Sequence, residues 1–128
     1  MKRLALVALG LVAVSACSSG PKQPSTTAFA PGTCRAAAPE VLQLGRDVRR
    51  LGNGPDVSTS RVEALTSAQD RLDGIASGAE ASYAPSLRRL VTAVGLVRLR
   101  AHTGSYSPAL GRDAMSAYDG VLAVCTRG

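Results

Sequence analysis

From Cys34 onward the apolar positions recur with helical spacing in four successive segments. In the first, Val41, Leu44, Val48 and Leu51 fall at i, i+3, i+7 and i+10, one stripe of an amphipathic helix. Pro39 is unfavourable deep in a straight helix, so regular helix is expected to begin near it, with Cys34 in an irregular or kinked lead. The run Gly52-Asn53-Gly54-Pro55 stops the segment. In the second, Ser60-Arg61-Val62-Glu63 reads as a capping box, and Val62, Leu65, Ala68, Leu72, Ile75 and Ala79 share a face. Gly74 and Gly78 weaken its end, where fraying is expected.

The third segment opens near Pro85, a residue suited to a first helical turn, and is the most apolar of the four, with Leu87, Leu90, Val91, Val94, Leu96, Val97 and Leu99. Arg98, Arg100 and His102 oppose the negative end of its dipole, and Gly104 is a natural stop. The fourth starts at Ser107-Pro108, cap followed by proline, with Leu110, Ala114, Ala117, Val121 and Val124 on one side. No segment alternates with period two over a convincing length, and no internal repeat is visible. The pattern predicts an all-α fold, a small up-down-up-down four-helix bundle over residues 34–128. A three-helix core with an irregular first segment is the alternative, because of Pro39.

The chain ahead of the bundle has a different character. Lys2 and Arg3 precede an uncharged run of apolar and small residues, Leu4 to Ala16, the plan of a secretory signal peptide. As a helix that run is about 20 Å long, short of a ~30 Å hydrocarbon core, so it targets the chain without spanning. Residues 18–33 are rich in Ser, Thr, Pro and Gly, with one charge, Lys22, and one aromatic, Phe29. Such a composition buries too little apolar surface to offset its ordering entropy, and is expected to form a flexible tether with an r.m.s. span of roughly 20–24 Å.

Val14-Ser15-Ala16-Cys17 resembles the lipobox of bacterial lipoproteins: an aliphatic residue, two small residues, then cysteine. The resemblance covers only the signal. It implies that residues 1–16 are removed and that Cys17 becomes an N-terminus carrying a diacylglyceryl group. The protein would then sit on the extracytoplasmic face of the cell membrane. Val14-x-Ala16 also satisfies the rule for an ordinary secretory cut. The cysteine count favours the lipoprotein, because with Cys17 lipidated the remaining two, Cys34 and Cys125, form one pair in an oxidising compartment. In an up-down-up-down bundle these two lie at the same end, where a disulfide closing about 90 residues contributes on the order of 4–5 kcal/mol in the chain-entropy model. A core of Ala, Val and Leu needs that clamp.

Composition narrows the functions. The chain carries +6, with Lys2 and Arg3 inside the signal, which leaves a mildly basic mature protein suited to an anionic envelope. Arginine outnumbers lysine heavily, which reads first as a G+C-rich coding bias. Tryptophan is absent and the aromatics are one Phe and three Tyr, so a nucleic-acid surface built on stacking is not expected. His102 is the only histidine, so a multi-histidine zinc or haem site has no ligands to draw on, and no metal or other cofactor is expected. No Cys-x-x-Cys-His, P-loop or Gly-x-Ser-x-Gly elbow occurs. Asp70 and Asp73 share a helix face, an arrangement more often solvated than catalytic.

Charge is unevenly spread. Arg46, Arg49 and Arg50 stand against Glu40 and Asp47 in the first segment, and the second is acidic with Glu63, Asp70, Asp73 and Glu80. The third holds Arg88, Arg89, Arg98 and Arg100 and no acid. Basic–acidic–basic neighbours favour pairing across the bundle, with surplus arginine left on the third helix. If the start of that helix is at the tethered end, Arg88 and Arg89 are the pair expected to touch anionic lipid. The sequence therefore points to a membrane-anchored, non-catalytic binding module, with an envelope protein or anionic polymer as partner. A carrier with an apolar site between helices, marked by a gap near Gly74, Gly78 and Gly95, is the alternative.

Overall fold

A computed structural model describes residues 23–51 and 56–126, so Cys17, the signal segment and the Gly52–Pro55 stop lie outside it. The chain forms four α-helices: α1 (Thr33–Arg49), α2 (Thr59–Ser77), α3 (Ala84–His102) and α4 (Pro108–Cys125), preceded by a single 3-10 turn at Thr26–Ala28. Each helix is about 26–29 Å long. Helix α1 packs against α2 and α4, and α3 against the same two, while the α1–α3 and α2–α4 backbones face each other across the diagonals. The ends of α1, α2 and α4 agree on direction. Thr33 Oγ1, at the start of α1, accepts from the Glu80 amide just past α2 at 3.4 Å, and Cys34 is bonded to Cys125 at the end of α4. This is the up-down-up-down bundle.

The core follows the expected stripes. Val41, Leu44, Val48, Leu65, Leu72, Leu87, Leu90, Val94, Val97 and Val121 are buried, with Ala37, Ala68, Ala76, Ala114 and Ala117 where helices approach closely. Two large side chains join them from outside the expected set. Tyr118 is completely buried on α4, and its ring fills the space beside Gly45 on α1, where any added Cβ would collide with the ring carbons. Phe29 is buried from the segment before α1.

Three local expectations are corrected. Pro39 lies inside α1, which begins at Thr33, so Cys34 is in regular helix. The proline sits on the exposed face, as does Arg35, whose carbonyl loses its partner and is left to water. The cap of α2 is Ser58, whose hydroxyl accepts from the Arg61 amide at 3.4 Å, and Ser60 is already helical. Val57, packed against the core one residue earlier, fixes where the chain turns into helix. The third concerns residues 23–32, read as tether, which lie against the bundle. The Ala30 amide donates to the Cys125 carbonyl at 2.7 Å, and the Arg35 guanidinium donates to the Phe29 carbonyl at 2.8 and 3.0 Å. One buried aromatic ring and these polar clasps offset the entropy that composition alone suggested would win. Gly32 turns this segment into α1 at φ +88°, a conformation glycine adopts without strain.

Candidate functional site

Cys34 and Cys125 are joined, with both residues inaccessible to solvent and their Cα atoms 5.4 Å apart. Cys17 lies outside the described residues. Arg88 and Arg89 are exposed near the start of α3, and His102 is exposed at its end. Asp70 and Asp73 are exposed on the outer side of α2.

The expected ladder of ion pairs is not what the charges do. The one ion pair among the described residues joins Arg71 of the acidic helix α2 to Glu40 of the basic helix α1 at 2.7 Å. That hydrogen bond and the carboxylate charge push the Arg71 guanidinium above its usual value. In so exposed a position the pair contributes little stability. The arginines of α1 find uncharged partners. Arg46 donates to Gln43 Oε1 at 2.6 Å and to Gln23 Oε1 at 3.1 Å. Arg49 lies over the Tyr118 ring, 5.6 Å from its centroid, within cation–π range. Asp47 is buried, its carboxylate accepting from the Gln43 amide at 3.1 and 3.2 Å. The reason is geometric: acids and arginines that alternate by helix in the sequence point to different sides of those helices.

Two grooves open on opposite sides of the bundle. The first, about 260 Å³, lies between α1 and α4 and is lined by Val48, Arg49, Leu51, Pro108, Gly111, Arg112 and Met115. The second, about 410 Å³, lies between α2 and α3 and is lined by Val62, Gln69, Gly95, Arg98, Leu99 and His102. Arg98 donates to Gln69 Oε1, and the Gln69 amide donates to the Val91 carbonyl at 3.1 Å, a polar clasp across the two helices. Leu99 stands 58% exposed beside it and Leu96 39% exposed nearby, the two large apolar side chains left to solvent among the described residues.

No protein-family model, curated protein or solved structure matches the chain. The chemistry of the grooves therefore has to be read from their own residues. Each has an unsatisfied polar atom in or behind it. Arg98 Nε is buried without a partner in the second. Behind the first is the Tyr106 hydroxyl, also buried and unpartnered, which would sit 2.6 Å from a Cβ added at Gly111. Burial pushes the Tyr106 phenol up, against the opposing charge of Arg112. Neither groove is lined by a carboxylate, so His102 meets no acid partner in the groove it edges. An imidazole beside a guanidinium and two aliphatic side chains can bind an anion with an apolar part, and offers no acid–base pair.

Several participants escape sequence reasoning. Gln23 and Gln69 act only through distant partners, so nothing local distinguishes them, whereas Gln43 bonds Asp47 at i+4, a spacing on one helix face. Tyr118 was findable, because it stands four residues after Ala114 and three before Val121 on the core stripe. Phe29, a lone aromatic in a polar stretch, was the other available signal.

Proposed function

We propose that this chain is a lipid-anchored, extracytoplasmic helical bundle that acts as a non-catalytic binding or interaction module at the cell envelope. A diacylglyceryl group on Cys17 holds it to the cell membrane. The observation that carries the reading is where the open space lies. The interior is filled by Phe29, Leu44, Leu65, Leu72, Leu90 and Tyr118, whereas the two grooves are at the surface and edged with arginine. A packed centre under a furrowed, cationic surface offers contact area to an envelope protein or an anionic polymer more readily than enclosure to a small molecule. The carrier alternative is favoured at one place, the α2/α3 groove at Gly95, where Val62 and Leu99 supply apolar wall. Gly74 and Gly78, the other positions expected to border a ligand, face open space.

The reading is tested by growing cells that express wild type or Cys17→Ser with a clickable fatty acid. Label on the wild type alone, followed by recurrent crosslinking to one envelope component in intact membranes, is the expected result. Equal label on both proteins ends the anchoring. A stoichiometric apolar molecule in an organic extract of the purified protein replaces the interaction module with the carrier.

A further inference from the structure

The described chain does not leave the bundle at the end where α1 begins. From Gly32 it doubles back along the α1/α4 face, with Phe29 buried and Ala30 tied to the Cys125 carbonyl. It is held at Gln23, whose amide donates to the Leu42 carbonyl at 2.9 Å and to the Tyr118 hydroxyl at 3.3 Å, while Arg46 donates to its oxygen. Leu42 lies roughly 13 Å along α1 from its start, so Gln23 sits about halfway up that face. The lower half of the α1/α4 face is thus covered by the chain itself. The upper half is the open groove of about 260 Å³, with Leu51 and Met115 in its wall and Arg49 and Arg112 at its edges.

Six peptide steps separate Cys17 from Gln23, a reach of at most ~20–22 Å. An anchor on Cys17 therefore stays within that radius of the middle of the α1/α4 face. Helix α3 is diagonal to α1, so its outward side lies across two helix layers, about 20 Å from this face and at the limit of that reach. Charge points the same way. Arg46, Arg49 and Arg112 are exposed here, and no carboxylate lines the groove. Asp47, the buried acid of this stretch of α1, is occupied by Gln43. Asp119 is the carboxylate that helical position brings to this side of α4, two turns below Arg112.

We propose that the α1/α4 face, with Arg46, Arg49 and Arg112 around the groove, is the surface that rests on the anionic phospholipid of the membrane holding the Cys17 anchor. The guanidinium groups meet lipid phosphates as forked donors, and Leu51 and Met115 give the groove an apolar floor at the level of the glycerol backbone. Arg88 and Arg89 then face away from the membrane and are available to a partner. The proposal rests on the lipid-anchor reading above.

The test uses the native protein, extracted from membranes and reconstituted in liposomes of phosphatidylglycerol or of phosphatidylcholine, then treated with phenylglyoxal and mapped by peptide mass. Modification of Arg49 and Arg112 is expected to slow about fivefold on the anionic liposomes relative to the neutral ones. Arg88 and Arg89 should react equally on both, and high salt should erase the difference. Slowing at Arg88 and Arg89 instead, or equal rates throughout at low salt, overturns the proposed face. The same digest reports the mass of the Cys17 peptide. An unacylated Cys17 overturns the anchor reading itself, whatever the arginines do.

Discussion

The two sides of this bundle are built from different materials. Where α1 meets α4, contact is made by a disulfide, a tyrosine ring seated on a glycine, and a docked N-terminal segment that contributes Phe29. Where α2 meets α3, it is made by aliphatic and alanine stripes and one clasp between Gln69 and Arg98, beside two leucines left in solvent. A covalent link and a large buried ring tie α1 to α4, whereas α2 and α3 hold together through fully buried aliphatic side chains such as Leu65, Leu72, Leu87 and Leu90. The lesson is that a chain so poor in aromatics concentrates its rings and its one covalent link on one face and leaves the other to aliphatic packing.

The largest expected effect breaks that concentration directly. Replacing both Cys34 and Cys125 by Ser should lower stability by about 4–5 kcal/mol in the chain-entropy model, read as a drop in the urea midpoint. In the native, unreduced protein neither cysteine should react with alkylating reagent. Two free thiols at these positions would mean that the α1/α4 side is not covalently closed.

Next comes the ring. Tyr118→Ala should cost about 3–5 kcal/mol, because it empties a fully buried site between α4 and Gly45. Leu99→Ala on the opposite side should stay within about 0.5 kcal/mol, since most of that side chain is already in water. Similar losses in paired thermal melts would sink the asymmetry.

The smallest effect compares two glycines. Gly45→Ala should cost about 1–3 kcal/mol by forcing the Tyr118 ring aside. Gly74→Ala, on an exposed turn of α2 with nothing within 4 Å of the new methyl group, should stabilise by roughly 0.5–1 kcal/mol. The opposite signs sharpen the comparison, because one glycine is there for a neighbour and the other only loosens its helix. Destabilisation by both substitutions would show that α2 has a neighbour at Gly74 after all.

Much of this architecture is legible in the chain. The stripes through Val41–Leu51, Leu65–Ile75, Leu87–Val97 and Ala114–Val124 mark four helices, and Gly104 and Ser107-Pro108 mark where the third ends and the fourth begins. The Cys34–Cys125 pair follows from the topology those stripes imply. What misleads is local reasoning at positions with two solutions. Pro39 breaks helices when its ring faces inward or its lost hydrogen bond is buried, and here both are outside. Ser58 and Ser60 are both competent caps, and the packing of Val57 chooses between them.

For the candidate surfaces less could be read. Counting charges by helix placed acid beside base, yet Glu40 and Arg71 are the two that meet, each a minority charge on its own helix. The tether reading expected Arg88 and Arg89 nearest the membrane, and among the described residues the segment before α1 is held at Gln23 beside Leu42 and Arg46.

By itself the sequence determines how many helices form, which face of each is apolar and which cysteines can meet. Those are consequences of a 3.6-residue period and of chain order, both local or one-dimensional properties. The tertiary structure alone decides that Gly45 receives Tyr118, that Phe29 folds back into the core and that Gln23 is held between Leu42 and Arg46. Each of these depends on shape and hydrogen-bond complementarity between residues far apart in the chain, which comes into being only when the helices have packed.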